Sequence, residues 1–385
     1  MNKKICIVVL SRANYGRSKS IISAAHNDPD VDLQLVVGAS SLIEMHGDAS
    51  KIIENDGFKI TSKVDFLLSS SSPSSMSTTT GLGIIKLGQV FDILQPDVVI
   101  TIADRYETMA TAIAAAYQNI PLAHVQGGEI TGSVDESVRH AITKLSHIHF
   151  PSTQYAAENV IKLGESRDNV FHVGCPAMDP LFELKPNTEM LNNLTGVGEN
   201  IDQLKPFYLV VYHPVTTEYG TQETENHINL IIEAAEQMNS QFIWLWPNVD
   251  AGSDLVSKKL RTWRENTSIP IRFIKNLPVD EYNNLLSLAR CTIGNSSSFI
   301  REGSVLGTPG IIVGSRQHFR EHSSNIKYFD GKASSDLIDL IHSHSKERFE
   351  SSSIYGDGSA GKNIIKVLKK AKLKIQKALV FENNK

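Results

Sequence analysis

Residues 206–214 read PFYLVVYHP. A proline leads into an apolar run, and His213 follows just past it. A short continuous apolar run bounded by turn residues is the pattern of a strand buried on both faces, as in parallel sheets covered by helices. The pattern then repeats. Helices are predicted over 221–239, 253–265, 279–290 and 298–307, with strands at QFIWLWPN (241–248), IPIRFIKN (269–276), CTIGNS (291–296) and PGIIVG (309–314). The same alternation has already run once upstream, through ICIVVL (5–10), VDLQLVVG (31–38), PDVVITIAD (96–104) and IPLAHVQ (120–126), with helical patterns between them. The expected fold class is α/β: two doubly wound, Rossmann-like domains facing each other across a cleft, with ligands beyond the carboxyl ends of the strands. The first domain is expected over 1–175 and the second over 176–362. A polar segment near 175–205 reads as the connection, and NIIKVLKKAKLKIQKAL (363–379) as a closing helix.

Bulk properties agree. A chain of 385 residues is long for one core. It is 41% hydrophobic and 21% charged with net charge −4, which gives no nucleic-acid or membrane surface. Cys6, Cys175 and Cys291 lie far apart in or beside apolar runs. They fit a reduced, cytoplasmic compartment rather than a disulfide framework. The first apolar stretch reads as a strand, too short for a signal peptide. SSSSPSSMSTTTGLG (69–83) reads as a mobile loop.

Neither GxGxxG nor a P-loop is present. The first strand instead runs into SRANYGRSK, where Arg12, Arg17 and Lys19 crowd a helix start suited to an anion. A solvated basic turn would have the same composition. GNSSSFIREG (294–303) places Ser296 and Ser297 at a strand-to-helix turn, the geometry of a diphosphate cradle, with Glu302 one turn later in reach of a ribose. Serine is also an ordinary helix cap, and both roles are compatible. Other strand ends are polar in the same way: Asp104 and Arg105, His124, Gln126 and Glu129, His213, Asn248, and Arg316. Asp135 falls where a helix N-cap belongs. So many polar strand ends read together as one active site.

Taken in order, SRANYG, DRYE, GGEITGSVDESVRHAITKL, GCPAMD, HPVTT, PNVDAGSD, IGNSSS, REGSVLGTPGI, GSRQ and IYGDG resemble the UDP-N-acetylglucosamine 2-epimerase family, in its hydrolysing branch. That resemblance spans nearly the whole chain. It implies a GT-B arrangement whose last helix crosses back, so that residues 363–385 join the first domain. It implies nucleotide contacts from Ser296, Ser297 and Glu302, with His213 and Arg316 near the diphosphate and Asn248 close by. It implies Arg12 and the acid–base groups on the first domain. The implied chemistry is anti elimination of UDP to a 2-acetamidoglucal, then rehydration to the free 2-epimer, which needs no metal or redox cofactor. Asp104 and Asp135 match the family's carboxylates. Gln126 stands where many relatives carry Glu, Ser41 where they often carry His, Asn14 where they carry Asp, and TIAD replaces VHGD. An amide carries no titratable proton. These departures lie on the sugar-facing domain, so they bear on proton transfer and sugar identity. Three readings compete: a hydrolysing 2-epimerase, a nucleotide-sugar hydrolase without epimerisation, and a GT-B binding or transfer protein. A homodimer through the first domain is expected from the helix RYETMATAIAAAYQN (105–119), whose small residues spread around its faces.

Overall fold

The computed structural model describes residues 2–43, 48–68, 73–102, 105–130, 134–215, 222–247, 253–275 and 277–380. The chain forms two compact units, Met1–Pro180 with Gly356–Lys385, and Leu181–Tyr355.

The first unit is built on a six-stranded sheet of β1 (Lys3–Val9), β2 (Val31–Gly38), β3 (Ser62–Val64), β4 (Val98–Ile102), β5 (Leu122–Val125) and β6 (Ile148–Phe150). Its order is β3-β2-β1-β4-β5-β6, and every pairing is parallel. Its helices are α1 (Arg12–His26), α2 (Ala49–Asn55), α3 (Pro73–Leu94), α4 (Tyr106–Tyr117), α5 (Val134–Leu145) and α6 (Gln154–Lys162). Period-two alternation divides β1 between two cores. Ile5, Ile7 and Val9 pack with Ile21 and Ile22 of α1, while Cys6 and Val8 pack with Leu87 and Phe91 of α3 and Ala110 and Ala114 of α4. The chain winds from β1 out to β3, then returns to the other side of β1 for β4. The order therefore reverses between β1 and β4, which is where such sheets open a crevice.

The second unit holds β7 (Val197–Gly198), β8 (Phe207–Val211), β9 (Gln241–Leu245), β10 (Ile271–Ile274), β11 (Cys291–Gly294), β12 (Gly310–Val313) and β13 (Ile326–Phe329), in the order β13-β12-β11-β8-β9-β10-β7. Only β7 runs antiparallel, against β10. Its helices are α7 (Glu223–Met238), α8 (Ser253–Asn266), α9 (Val279–Leu288), α10 (Ser297–Leu306) and α11 (Ser334–His344). Here the order reverses between β8 and β11. The chain then re-enters the first unit as α12 (Ala360–Lys370), which adds Ile364, Ile365 and Leu368 to the core beside β1.

Two expectations are corrected. Of the expected loop 69–83, residues 73–83 are helix, and 69–72 lie outside the described residues. Proline is tolerated at a first helical position. The Thr78 and Thr80 hydroxyls donate to the carbonyls of Ser74 and Met76, both at 3.0 Å, and Gly83 lets α3 approach Ala110 of α4 closely. The closing helix ends at Lys370 rather than 379. Lys3 Nζ donates to the last carbonyls, Leu368 O at 2.7 Å and Ala371 O at 3.0 Å, and the chain continues extended. Past α6, Val170 makes an isolated bridge with His149 of β6. Among the described residues no helix is long and apolar enough to cross a membrane.

Candidate functional site

In the second unit, the predicted residues gather at the carboxyl ends of three adjacent strands. His213 follows β8, Ser296 and Ser297 follow β11, and Arg316 follows β12. The β8–β11 reversal thus lies between His213 and Ser296. Asn295, fully buried, locks this edge. The His213 backbone N–H donates to Asn295 Oδ1 at 2.8 Å, and Asn295 Nδ2 donates to the His213 carbonyl at 2.7 Å. Gly294 makes the turn possible: at φ 132° a Cβ would lie 2.1 Å from the Val211 carbonyl oxygen. Gln317, also buried, donates to the Asn295 carbonyl at 3.2 Å and accepts from Arg320 at 2.9 Å, tying the loop after β12 to the same centre.

The helix behind the turn is capped as serine chemistry predicts. Ser296 is the N-cap of α10 and accepts from the Ser298 N–H at 3.4 Å, and the two hydroxyls are 2.8 Å apart. The Tyr282 hydroxyl, from α9, bonds to the Ser298 hydroxyl. Burial raises its pKa, with the nearby Glu302 carboxylate pushing the same way, so the phenol keeps its proton. Glu302 lies half-buried on α10, one turn past Ser298. His213 is the most perturbed group here: burial first, and the Arg316 charge second, push its pKa down to about 3. Its imidazole is therefore neutral at physiological pH, acting as a hydrogen-bonding group rather than a cation.

In the first unit, Arg12 opens α1 just past β1, and Arg105 caps α4 just past β4, so the two flank the β1–β4 reversal. Asn14 bridges that reversal. Its Oδ1 accepts from Leu10 N at 3.3 Å and its Nδ2 donates to Ile102 O at 3.3 Å. An aspartate could not make the second bond, which gives the amide a structural reason. Arg105 donates from Nε and Nη2 to the buried Glu107 carboxylate at 3.1–3.3 Å. Ser41 is fully buried in a short turn after β2, and its hydroxyl has no hydrogen-bond partner among the described residues.

The loop after β5 carries the remaining candidates. Gln126 is buried with φ 67°, and its Nε2 donates to Cys175 Sγ at 3.1 Å. Gly128 follows at φ 80°, where a Cβ would lie 2.1 Å from the Ala156 carbonyl oxygen. Arg139, buried on α5, donates from Nη1 to the Glu129 carbonyl at 2.5 Å and so holds the loop that presents Glu129. Asp135 is the second residue of α5 rather than its N-cap, and its side chain lies outside the description, as do Asp104 and Asn248 altogether. Among the described residues no cluster of metal-ligating side chains occurs.

Sequence reasoning missed Tyr282, Glu107, Gln317 and the role of Arg139. Tyr282 and Gln317 act through partners on other elements, for which a single sequence carries no spacing signal. Arg105 and Glu107 stand two positions apart on a strand-to-helix turn, so their pairing was within reach.

Known proteins resemble this chain over most of its length. A family model described as UDP-N-acetylglucosamine 2-epimerase matches residues 23–369. A hydrolysing UDP-N,N'-diacetylbacillosamine 2-epimerase of Legionella pneumophila is 34% identical over 96% of both chains. A hydrolysing GDP/UDP-N,N'-diacetylbacillosamine 2-epimerase of Campylobacter jejuni is 32% identical over 84% of this chain and 83% of its own. The crystal structure of the Neisseria meningitidis UDP-GlcNAc 2-epimerase bound to UDP-GlcNAc matches with a TM-score of 0.80 at 20% identity, covering 96% of this chain and 100% of that one, which shows a shared two-domain GT-B-type fold. The chain belongs to the UDP-N-acetylglucosamine 2-epimerase family, in its hydrolysing branch.

Proposed function

We propose that the protein hydrolyses a UDP-linked 2,4-diacetamido-6-deoxy sugar with inversion at C2, releasing UDP and the free 2-epimer. The observation that carries this choice over UDP-N-acetylglucosamine is the likeness to the Legionella enzyme, which extends over 96% of both chains. In this reading the second unit holds the nucleotide. Backbone N–H groups at the start of α10, with Ser296 and Ser297, face the diphosphate, and Glu302 meets the ribose. His213 donates a hydrogen bond to the departing diphosphate from its neutral ring, while Arg316 opposes the developing charge. Asn248 supports the same nucleotide.

On the sugar side, Asp104 and Asp135 carry protons to and from opposite faces of C2. Arg12 and Arg105 supply positive charge, with Arg105 steadied by Glu107. Gln126 cannot titrate. With its nitrogen engaged by Cys175, it offers its carbonyl oxygen to an acetamido N–H or a water, and Glu129 stands beside it on the same loop. Supporting the reading is the placement of His213, Ser296, Ser297, Arg316, Arg12, Arg105 and Gln126 just past carboxyl strand ends, with His213, Ser296, Arg12 and Arg105 beside the two points of order reversal. The protein is further proposed to be a cytoplasmic homodimer; its buried cysteines, none of them in a disulfide, suit a reducing compartment.

The test is incubation with UDP-N,N'-diacetylbacillosamine and with UDP-N-acetylglucosamine in D2O, products identified by NMR. The expected product is a free 2-epimer carrying deuterium at C2, formed faster from the first sugar. Free sugar of unchanged configuration with hydrogen at C2 would favour the second reading, a plain hydrolase, for which the absence of a carboxylate at Gln126 is the specific observation.

A further inference from the structure

Beyond α12 the chain does not trail away. Residues 375–380 lie against the far end of α5, and the contacts are specific. Lys377 Nζ donates to the carbonyls of Lys144, at 2.9 Å, and of Ser146. It also pairs with the buried Glu165 at 2.8 Å. The Ile375 carbonyl lies 2.9 Å from His147 Nε2, and the Val380 N–H donates to Gly164 O at 3.1 Å. Because His147 Nδ1 accepts from the Leu122 N–H at 3.1 Å, Nε2 carries the proton and donates to Ile375. The far end of α5 is itself tied to Glu165, since Lys144 reaches that carboxylate at 2.5 Å and Leu163 O at 3.0 Å.

These ties matter because α5 is poorly anchored by apolar packing. Among its described side chains only Ile142 is a fully buried hydrophobic one, with Val138 and Leu145 partly covered. Its other anchors are polar: Arg139 to the Glu129 carbonyl, and Thr143 Oγ1 3.1 Å from His124 Nδ1. Helix ends leave carbonyls that need partners, and a cation there is favourable. A helix of this length is a rod of roughly 18 Å, so play at one end is delivered to the other. The other end bears Asp135.

We propose that residues 375–380 are a strap that holds α5 in register, with Lys377 as a positioning residue for the acid–base end of the helix. This rests on the reading of Asp135 as a proton carrier. The strap binds no substrate. It acts by denying α5 the small slide or rotation that would misplace a reacting group, and misplacement by about 1 Å costs on the order of a hundredfold in rate.

The test is Lys377→Met, which keeps the stem and removes the charge, beside Lys377→Arg, which restores a cation. Val380→Pro removes the N–H to Gly164 without touching Glu165 and stands in if Lys377→Met does not fold. Three quantities are measured: kcat and KM with the nucleotide sugar, the thermal shift by UDP, and hydrogen exchange of residues 134–145. Lys377→Met is expected to lower kcat about tenfold with KM and the UDP shift unchanged, and to raise exchange in 134–145. Lys377→Arg recovers most of the kcat, and Val380→Pro shows the same pattern in weaker form. Unchanged kcat, or exchange in 134–145 identical to wild type, would overturn the proposal. If the wild-type protein turned over neither sugar, the functional reading would fail alone, and the exchange measurement would still decide whether the strap holds α5.

Discussion

His213 and Asn295 hold each other by a two-way amide pairing: the His213 N–H donates to Asn295 Oδ1 at 2.8 Å, and Asn295 Nδ2 donates back to the His213 carbonyl at 2.7 Å. The pair joins β8 to β11 across the point where the strand order reverses. Replacing Asn295 by Ala leaves a buried N–H and a buried carbonyl unpaired, at about 1–3 kcal/mol each. Urea denaturation of Asn295→Ala should show a loss of about 2–6 kcal/mol for the two groups together, and the thermal shift by UDP should shrink sharply. Full stability would contradict the structural role.

Two glycines with positive φ separate backbone preference from crowding. Gly57 has φ 87° with nothing within 4 Å of its would-be Cβ, whereas at Gly294 the Cβ would meet Val211 O at 2.1 Å. Gly57→Ala should cost about 1 kcal/mol, the penalty of the left-handed region alone. Gly294→Ala should cost about 3 kcal/mol or more, because β8 must move. Equal losses would show that crowding at Gly294 is relieved cheaply.

Acid should destabilise the protein in two stages. His147, His149 and His213 all have pKa values lowered chiefly by burial, His213 to about 3. The unfolded chain takes up their protons first, so stability is intact above about pH 6.5 and falls as pH drops below it, by up to about 1.4 kcal/mol per unit for each histidine. Glu165 has its pKa held at about 2 against a desolvation penalty that pushes upward, by bonds from His149, Lys144 and Lys377. Its contribution is full above about pH 4.5 and is lost as pH falls toward 2. Denaturation midpoints at pH 7.5, 6.0 and 4.5 should fall in that order; a flat profile between 7.5 and 4.5 would refute the burial argument.

Proton transfer should depend on the carboxylates and not on the amide. Asp104→Asn and Asp135→Asn are each expected to abolish 2-epimer formation and to lower turnover by at least a hundredfold. Gln126→Ala should raise KM but still give product with deuterium at C2. Loss of C2 exchange in Gln126→Ala, with the Asp variants unaffected, would reverse the assignment.

The small residues of α4 do not themselves call for a partner. Ala110, Ala112, Ala114 and Ala115 are buried within their own unit, against α3, α5 and the sheet. What remains exposed is Ile85 at 60% and Ile93 at 79% on α3, and Tyr117 at 86% on α4. If this face joins two copies, light scattering should give the dimer mass at micromolar concentration, and Ile85→Glu with Ile93→Glu should give the monomer. A monomeric wild type would remove the dimer.

The strand cores were legible because a parallel sheet covered on both faces requires continuous apolar runs, as in FYLVV and ICIVV. Helix ends were less so. The serine and threonine of 74–80 look like loop by composition, yet their hydroxyls bond back into the helix, and packing at Gly83 decides the matter. KAKLKIQKAL has a helical pattern, but Lys377 is worth more on Glu165 and two carbonyls than on a solvated turn. The polar strand ends were readable as a group. Their internal wiring was not, because Asn295 to His213, Gln317 to Asn295, and Gln126 to Cys175 are pairings across sequence gaps that only the fold closes.

The first unit is interrupted in sequence by the second, yet closed in space at the interruption. Asp179 accepts from the N–H groups of Ala360 at 3.1 Å and Gly361 at 2.8 Å, and Gly356 packs on Gly174. On the ribosome this imposes an order. When residue 180 emerges, the sheet of the first unit is complete but the face beside β1 lacks Ile364, Ile365 and Leu368. That apolar surface stays uncovered while the whole of Leu181–Tyr355 is made. At about 5–20 residues per second the wait lasts on the order of ten seconds or more, long beside the folding time of a domain. The second unit is thus able to finish first, and the earlier-made half of the protein is the one that needs shelter during synthesis.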